Sequence, residues 1–342
     1  MSATQLLLTP VKAGDYLSAP NLQTKFKQFF TESESAVQTL DIKKTLLCLA
    51  KRGESPAEVW ALIQLIESME GRVKTGLRGV IDVCGTGGDG MNTFNISTVS
   101  AFVIAGAGGF VAKHGNRAIS SRCGSSDLMD ALGVNLSAGP KKMLLALKTA
   151  GIAYMHAPLY HPLFAKIQPL RQSLGVRTLF NLTGPFLNPF EHPYQMIGVS
   201  KPEQIDFFIS ILKLKKIKHA AVCHSHDGLD EISTSAPTDI AELRDGKVTR
   251  WTLKPTQFGF KKAKISDYAG GNVAANKKLT IALLQGKLLG PVRDVVEVNA
   301  GMGLYLSGKA KDLKAGVLLA RQSIDQKGAL KALETLIRIS NS

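Results

Sequence analysis

Two periods of hydrophobic residues divide the chain. After Ser55, the apolar residues Val59, Leu62, Ile63 and Ile66 recur at helical spacing and form one face. Ser55-Pro56-Ala57-Glu58 supplies the start of that helix. Ser55 can cap, Pro56 suits the first turn, and Glu58 can reach back to the cap amide. An earlier helix is predicted over 42–50, with Lys51-Arg52-Gly53 as its stop. No strand-like run interrupts this end, so residues 1–78 are expected to form a small all-helical domain.

The pattern changes at Gly79. Val80-Ile81-Asp82-Val83-Cys84 is a short strand-like run that leads into Gly85-Thr86-Gly87-Gly88-Asp89-Gly90. Residues 99–107 are small and apolar, long enough for a buried helix, and 110–112 read as the next strand. Strand, Gly-rich loop, helix and strand make a βαβ unit, which implies a parallel sheet. Residues 220–223 predict a further strand, and 294–298 are expected to be one more. Pro185, Pro189 and Pro193 mark a rigid connection. The expected fold is thus α/β: a helical N-terminal domain, then an α/β domain over 79–342 with a mostly parallel central sheet.

Composition narrows the class. Of 342 residues, 44% are hydrophobic and 20% charged, as in a soluble globular protein. The longest apolar stretch, 99–112, is broken by Gly106, Gly108 and Gly109 and is too short for a bilayer, so no membrane association is expected. The first ten residues lack a basic start followed by an apolar segment, so no secretory signal is expected. Cys48, Cys84, Cys123 and Cys223 form no CxxC pair, which points to reduced thiols and a cytoplasmic protein. The net charge of +15 suits either nucleic acid or small polyanionic substrates. The lysine clusters at 213–218, 261–264 and 309–314 lack interleaved aromatics and read as solvated faces.

Four loops carry the chemistry. Gly85, Gly87, Gly88 and Gly90 let the backbone turn sharply and approach a ligand, and successive amides in such a loop form an anion site. The loop has neither the Gly-Lys-Ser/Thr of a Walker loop nor the dinucleotide spacing. Taken alone, it reads equally as a turn without a ligand. Asn95, Ser97 and Thr98 then open a helix, offering either a cap or a second phosphate site supported by the helix dipole. Lys113-His114-Gly115-Asn116-Arg117, with Ser120, Ser121, Ser125 and Ser126 beyond, follows the second strand. It therefore lies at the carboxyl edge where α/β proteins bind ligands. Asp227-Gly228-Leu229-Asp230-Glu231 is an acidic turn that suits magnesium, the usual companion of phosphate substrates.

Together these segments resemble the anthranilate phosphoribosyltransferase family. The stretches that carry the resemblance are GTGGDG at 85–90, NTFNIST at 92–98, KHGNR at 113–117 and GSSDLMDALGVNL at 124–136. APLYHP at 157–162, LGVRTLFNLTGPFLNP at 174–189 and DGLDEIS at 227–233 complete the set. The resemblance runs from about Thr39 to the end of the chain. It implies a homodimer whose helical domain is joined by about 164–183, with the active site in the cleft between the domains. It implies transfer of the phosphoribosyl group of phosphoribosyl pyrophosphate (PRPP) to the amine of anthranilate, releasing pyrophosphate, with Mg as cofactor.

The resemblance also implies roles, position by position. Gly85, Gly88, Asp89 and Thr93 would contact pyrophosphate and ribose. Asn95, Ile96, Ser97 and Thr98 would hold the 5′-phosphate, and Ser97, Asp230 and Glu231 the metal. Lys113, His114, Gly115, Asn116, Arg117, Ser120, Ser121 and Ser125 would form the loop over the donor. Gly85, His114, Asn116, His161 and Arg171 would receive anthranilate, with Arg171 opposite its carboxylate. Lys113, Arg171, Asp230 and Glu231 are the expected catalytic residues. Ala275 departs from the family pattern, in which an acidic residue is frequent there, and Phe164 stands where a tyrosine occurs in some members.

Two rival functions are distinguishable. A pyrimidine nucleoside phosphorylase-like enzyme shares the Lys-His-Gly-Asn loop but has no Asp-Gly-Leu-Asp-Glu turn. A nucleic-acid-binding relative would suit the +15 charge but has no need of Asp230 and Glu231.

Overall fold

The computed structural model describes residues 19–32, 35–118 and 122–342. Three helices come first: α1 (Ala19–Thr31), α2 (Ala36–Arg52) and α3 (Pro56–Glu70). The chain then alternates through β1 (Val80–Gly85), α4 (Ile96–Gly106), β2 (Phe110–Gly115), α5 (Ser125–Leu132), α6 (Pro140–Ala150) and β3 (Ile152–His156). Helices α7 (Ala157–Tyr160), α8 (Pro162–Leu174) and α9 (Leu179–Thr183) follow. The sheet resumes with β4 (Tyr194–Gly198), α10 (Gln204–Leu214), β5 (His219–Ser225), β6 (Thr238–Arg244) and β7 (Lys247–Leu253). Helices α11 (Val273–Leu284), α12 (Pro291–Leu306), α13 (Leu313–Asp325) and α14 (Gly328–Asn341) close the chain.

The chain divides into two compact units. One takes the described residues up to Arg72 together with Tyr160–Leu187, and the other takes Val73–Leu159 and Asn188–Ser342. The first is helical. Its third helix starts as its sequence dictates: the Ser55 hydroxyl accepts from Glu58 N at 3.2 Å, and Ser55 N donates to the Glu58 carboxylate at 2.8 Å. Val59, Leu62, Ile63 and Ile66 are all fully buried. Phe26, Phe30 and Phe164 surround Phe180 edge-on, with Phe26 and Phe164 at 5.5 and 5.7 Å between centroids. Helices α8 and α9 are thereby built into the core made by the first three.

The second unit holds a seven-stranded sheet in the order β3-β2-β1-β4-β5-β6-β7. The five strands from β3 to β5 are parallel, while β6 and β7 are antiparallel additions. Strand β1 lies between β2 and β4, so the strand order reverses beside it. In open α/β sheets, ligands bind outside the carboxyl ends of the strands at such a reversal. The loop beginning at Gly85 leaves β1 at that place.

The expected strand at 294–298 is instead the interior of α12. Pro291 starts the helix, and Val295, Val296 and Val298 are completely buried. A short apolar run buried all round has no periodicity to separate strand from helix. Close packing decides the matter: a Cβ on Gly303 would collide with Ile104 of α4, and one on Gly301 with Val317 of α13. Among the described residues, no helix is long and apolar enough to cross a membrane.

Candidate active site

The site is assembled from the carboxyl ends of β1 and β2, the start of α4 and the turn after β5. Asp230 and Glu231 are adjacent and each only 8% exposed. The first reaches the Gly loop, where Gly87 N donates to Asp230 Oδ2 at 2.7 Å. The second reaches α4, where Ser97 N donates to Glu231 Oε1 at 3.2 Å. Gly85 permits this approach, since a Cβ there would collide with the Asp230 carboxylate. Gly87 has φ +67°, in the left-handed region that turns its amide toward the acid.

Lys113 is the cation of the group. It is 2% exposed, and its Nζ donates to Val83 O at 2.7 Å and to Ser97 Oγ at 3.2 Å. Side chains alternate along a strand, so Lys113 and His114 leave β2 on opposite faces. His114 Nδ1 lies 2.8 Å from Asp82 Oδ2.

The acidic turn is held rigidly. The Asp227 carboxylate accepts from Ser233 Oγ at 2.7 Å, from Ser235 Oγ and from Leu229 N. Asn299 clamps the other side, accepting from Ile232 N at 3.0 Å and donating to Ile232 O at 2.8 Å. Burial pushes Asp230 well above the usual carboxylate range, and Glu231 and Asp89 push it further. Burial also pushes Glu231 up to about 7, against the opposing charge of Lys113. Two carboxylates so placed are short of positive charge.

That shortage is the test for magnesium. Among the described residues, no group of three or more His, Cys, Asp and Glu is arranged to hold a metal ion. Magnesium does not require one: it is commonly held by one or two carboxylates and takes its remaining ligands from substrate phosphates and water. Asp230, Glu231 and the Ser97 hydroxyl fit that requirement.

The other expected residues fall into three groups. Asn95, Ile96 and Thr98 lie at the start of α4. Asn95 N donates to Asn276 Oδ1 at 3.3 Å, and its side-chain amide donates to Cys123 O at 3.1 Å. Its side chain makes no cap hydrogen bond, so capping is not its use. Gly88, Asp89 and Thr93 belong to the loop and its continuation, where Asp89 accepts from Met91 N at 3.1 Å and Thr93 bridges Ala269.

The second group is the loop after β2. Asn116 Oδ1 accepts from Arg117 N at 2.8 Å. The Ser125 hydroxyl donates to Asn116 O at 3.3 Å and lies 3.0 Å from the Tyr154 hydroxyl. A Cβ on Gly115 would collide with both Ser125 and Tyr154. Arg117 is paired with Asp127 at 3.0 Å and Asp130 at 2.9 Å, which places its charge on α5. Ser120 and Ser121 lie outside the described residues.

The third group, His161 and Arg171, lies in the helical unit. His161 contacts Glu70 Oε2 through Nδ1 and Leu187 O through Nε2, both at 2.6 Å. Arg171 donates to Gln168 Oε1 at 3.4 Å, stands 5.8 Å from the centroid of the Phe180 ring, and is lowered in pKa by burial.

The sequence pattern assigns no role to Asp82, Asn276 or Asn299, although Asn276 is kept in the family pattern. Asp82 carried a signal, being one ionisable residue inside an apolar strand. The two asparagines carried none, because their partners are 181 and 67 residues away.

The Glycosyl transferase family, a/b domain, matches residues 77–330. The anthranilate phosphoribosyltransferase of Desulfosudis oleivorans is 43% identical over 95% of this chain and 95% of its own. That of Thermomicrobium roseum is 41% identical over 98% and 97%. Among solved structures, anthranilate phosphoribosyltransferase from Thermus thermophilus has a TM-score of 0.89 at 33% identity, covering 99% of each chain. The Saccharomyces cerevisiae enzyme in complex with PRPP and Mg has a TM-score of 0.85 at 24% identity, over 99% and 96%, and is a likeness of fold. The family model over most of the chain and full-length relatives at this identity lead to one conclusion: the chain belongs to the anthranilate phosphoribosyltransferase family.

Proposed function

We propose that the chain transfers the phosphoribosyl group of PRPP to the amine of anthranilate, releasing pyrophosphate and forming N-(5′-phosphoribosyl)anthranilate. The observation that carries this reading is the buried Asp230–Glu231 pair, brought against both the Gly85 loop and the first turn of α4. A pair short of positive charge beside two amide-rich anion sites suits a polyphosphate that arrives with a divalent cation. When bound, Mg would offset the charge that builds on the departing pyrophosphate.

The chain's own residues would do the rest. Loop amides at 85–90 and the α4 start would position the phosphates, with Gly88, Asp89 and Thr93 near the pyrophosphate and ribose. Asp230, Glu231 and Ser97 would hold Mg. Lys113 would stabilise the negative charge of the leaving group. The loop 113–117 with Ser120, Ser121 and Ser125 would cover the donor. His114, Asn116, His161 and Arg171 would receive anthranilate, with the guanidinium opposite its carboxylate. An aromatic amine is neutral near physiological pH, so positioning and electrostatics would supply most of the rate without a strong general base.

A homodimer belongs to the same proposal. Val37, Leu40 and Leu47 of α2 are 60%, 53% and 43% exposed, and their spacing puts them on one face of the helix. An exposed apolar stripe of this kind suits contact with a second copy. A cytoplasmic location is proposed from the four free cysteines.

The test is anthranilate fluorescence followed over time with purified protein, PRPP and magnesium, with and without chelator. Loss of signal that requires both donor and metal supports the assignment. An unchanged signal from folded protein that binds PRPP overturns the acceptor and the reaction together.

A further inference from the structure

The roles above leave the segment 268–276 unused, yet it lies directly against the turn that opens α4. Phe94 N donates to Tyr268 O at 2.8 Å, and Gly270 N donates to Asn92 O at 3.3 Å. Between them, Thr93 and Ala269 form an antiparallel bridge. Asn276 is buried, and its Oδ1 accepts from Asn95 N at 3.3 Å. Its side-chain amide is held in turn by Gly271 O at 3.3 Å and Asn272 O at 3.1 Å. The approach is close, since a Cβ on Gly270 would collide with the Phe94 backbone and with Asn276 Oδ1. Residues 92–95 are thus held along their length by one brace, and Thr93 and Asn95 are among those proposed to hold the donor.

The brace has a second end. The Tyr268 side chain is fully buried. Its hydroxyl accepts from Thr234 N at 3.1 Å and lies 2.7 Å from Thr234 Oγ1. Ala263 N donates to Thr234 O at 3.2 Å. Thr234 stands between Ser233 and Ser235, whose hydroxyls hold the Asp227 carboxylate at the head of the acidic turn. Tyr268 therefore grips two parts of the site at once, the α4 opening through its main-chain oxygen and the acidic turn through its hydroxyl. The second grip is demanding. Thr234 is 1% exposed, so removal of the hydroxyl leaves a buried amide hydrogen without its acceptor, and the turn must shift to satisfy it. A polyphosphate held by amides at one end and by a metal on two carboxylates at the other binds well only when the spacing of those ends is fixed.

We infer that Tyr268 is a positioning residue for the donor: through Phe94 and Thr234 it sets the spacing between the α4 opening and the Asp230–Glu231 turn. This rests on the proposed use of those two parts for the phosphates and for Mg. Tyr268 acts only through its two partners, as outer residues that orient metal ligands do elsewhere.

Calorimetric titration of PRPP with magnesium into the full chain tests it, beside steady-state kinetics. Y268F, shown to be folded by circular dichroism, should bind PRPP about tenfold more weakly and keep KM for anthranilate at saturating PRPP within about twofold. A lower melting temperature with unchanged PRPP affinity would make the hydroxyl a structural contact only and overturn the inference. Thr234 supplies a second arm. T234V should weaken PRPP binding in the same direction, and T234S, which keeps the hydroxyl, should bind within about twofold of the wild type. In a Y268F background T234V should cost nothing further, and independent, additive losses would overturn the inference. If Y268F does not fold, T234V against T234S decides alone, and equal affinities overturn it. A wild type that binds PRPP but never consumes anthranilate would overturn the proposed acceptor and reaction, and the titrations would still decide this inference.

Discussion

Two buried acidic sites in the same unit behave in opposite ways. Glu242 on β6 is surrounded by donors: His219 Nε2 and the Tyr305 hydroxyl lie 2.7 Å from Oε1, and Trp251 Nε1 donates to Oε2 at 3.1 Å. Burial works against its charge, but these donors win and hold its pKa below the ordinary value. Asp230 and Glu231 sit side by side with two backbone amides and Lys113, and both are raised. The first site is built for stability. The second is built at the expense of stability, as expected where a cation and a polyanion are to complete the charge balance.

The largest effect should come from neutralising the second site. E231Q keeps the shape of the side chain and removes its charge. It should lower kcat by about 10³-fold with Mg and PRPP saturating, while its melting temperature equals or exceeds that of the wild type. Retained activity would break the contrast. G85A follows. Its Cβ would displace the Asp230 carboxylate, and a misplacement on the scale of 1 Å costs about a hundredfold in rate. A steady-state assay beside a circular-dichroism spectrum checks that the loss is one of activity and not of fold.

The first site should respond in the other direction. E242A leaves His219, Tyr305 and Trp251 without their common acceptor. Denaturant unfolding should show a loss of about 2–3 kcal/mol, with kcat of the folded enzyme unchanged. A fall in kcat as large as that of E231Q would show that the sites are not separate.

The smallest effect is one of pH. Glu231 holds its proton to about pH 7 when folded, against an ordinary value of 4.5. Between these pH values the unfolded chain has ionised and the folded one has not, so this group's contribution worsens as pH rises from about 4.5 to about 7. Glu242 has the reverse sign: its contribution is present above 4.5 and is lost as pH falls through its lower folded value. Metal-free melting curves should therefore show E231Q gaining on the wild type from pH 5 to 7. E242Q should lose its deficit only in acid. The same trend in both variants would contradict the assignment.

How much of this was legible in the sequence depended on distance along the chain. The β1 loop, the α4 start and the β2 loop were readable because strand, glycines and polar helix start follow one another within about 40 residues. The capping box at Ser55 was readable for the same reason. Helix α12 was misread as a strand because its valines are buried on every side, and its deciding glycines meet α4 and α13 only in the fold. The Asp82–His114 contact joins two strands 32 residues apart. An acid inside an apolar strand was visible, but its partner was not. The Glu242 network was hidden more deeply, since Tyr305 is 63 residues away.

The role proposed for Asp230 and Glu231 is to receive a cation with the donor, and their shortage of positive charge is its basis. Calorimetric titration of PRPP into wild type and E231Q, each with magnesium and with chelator, tests it most directly. Wild type should bind tightly with magnesium and at least about tenfold more weakly with chelator, and E231Q should differ little between the two conditions. Equal affinity in all four titrations would contradict it.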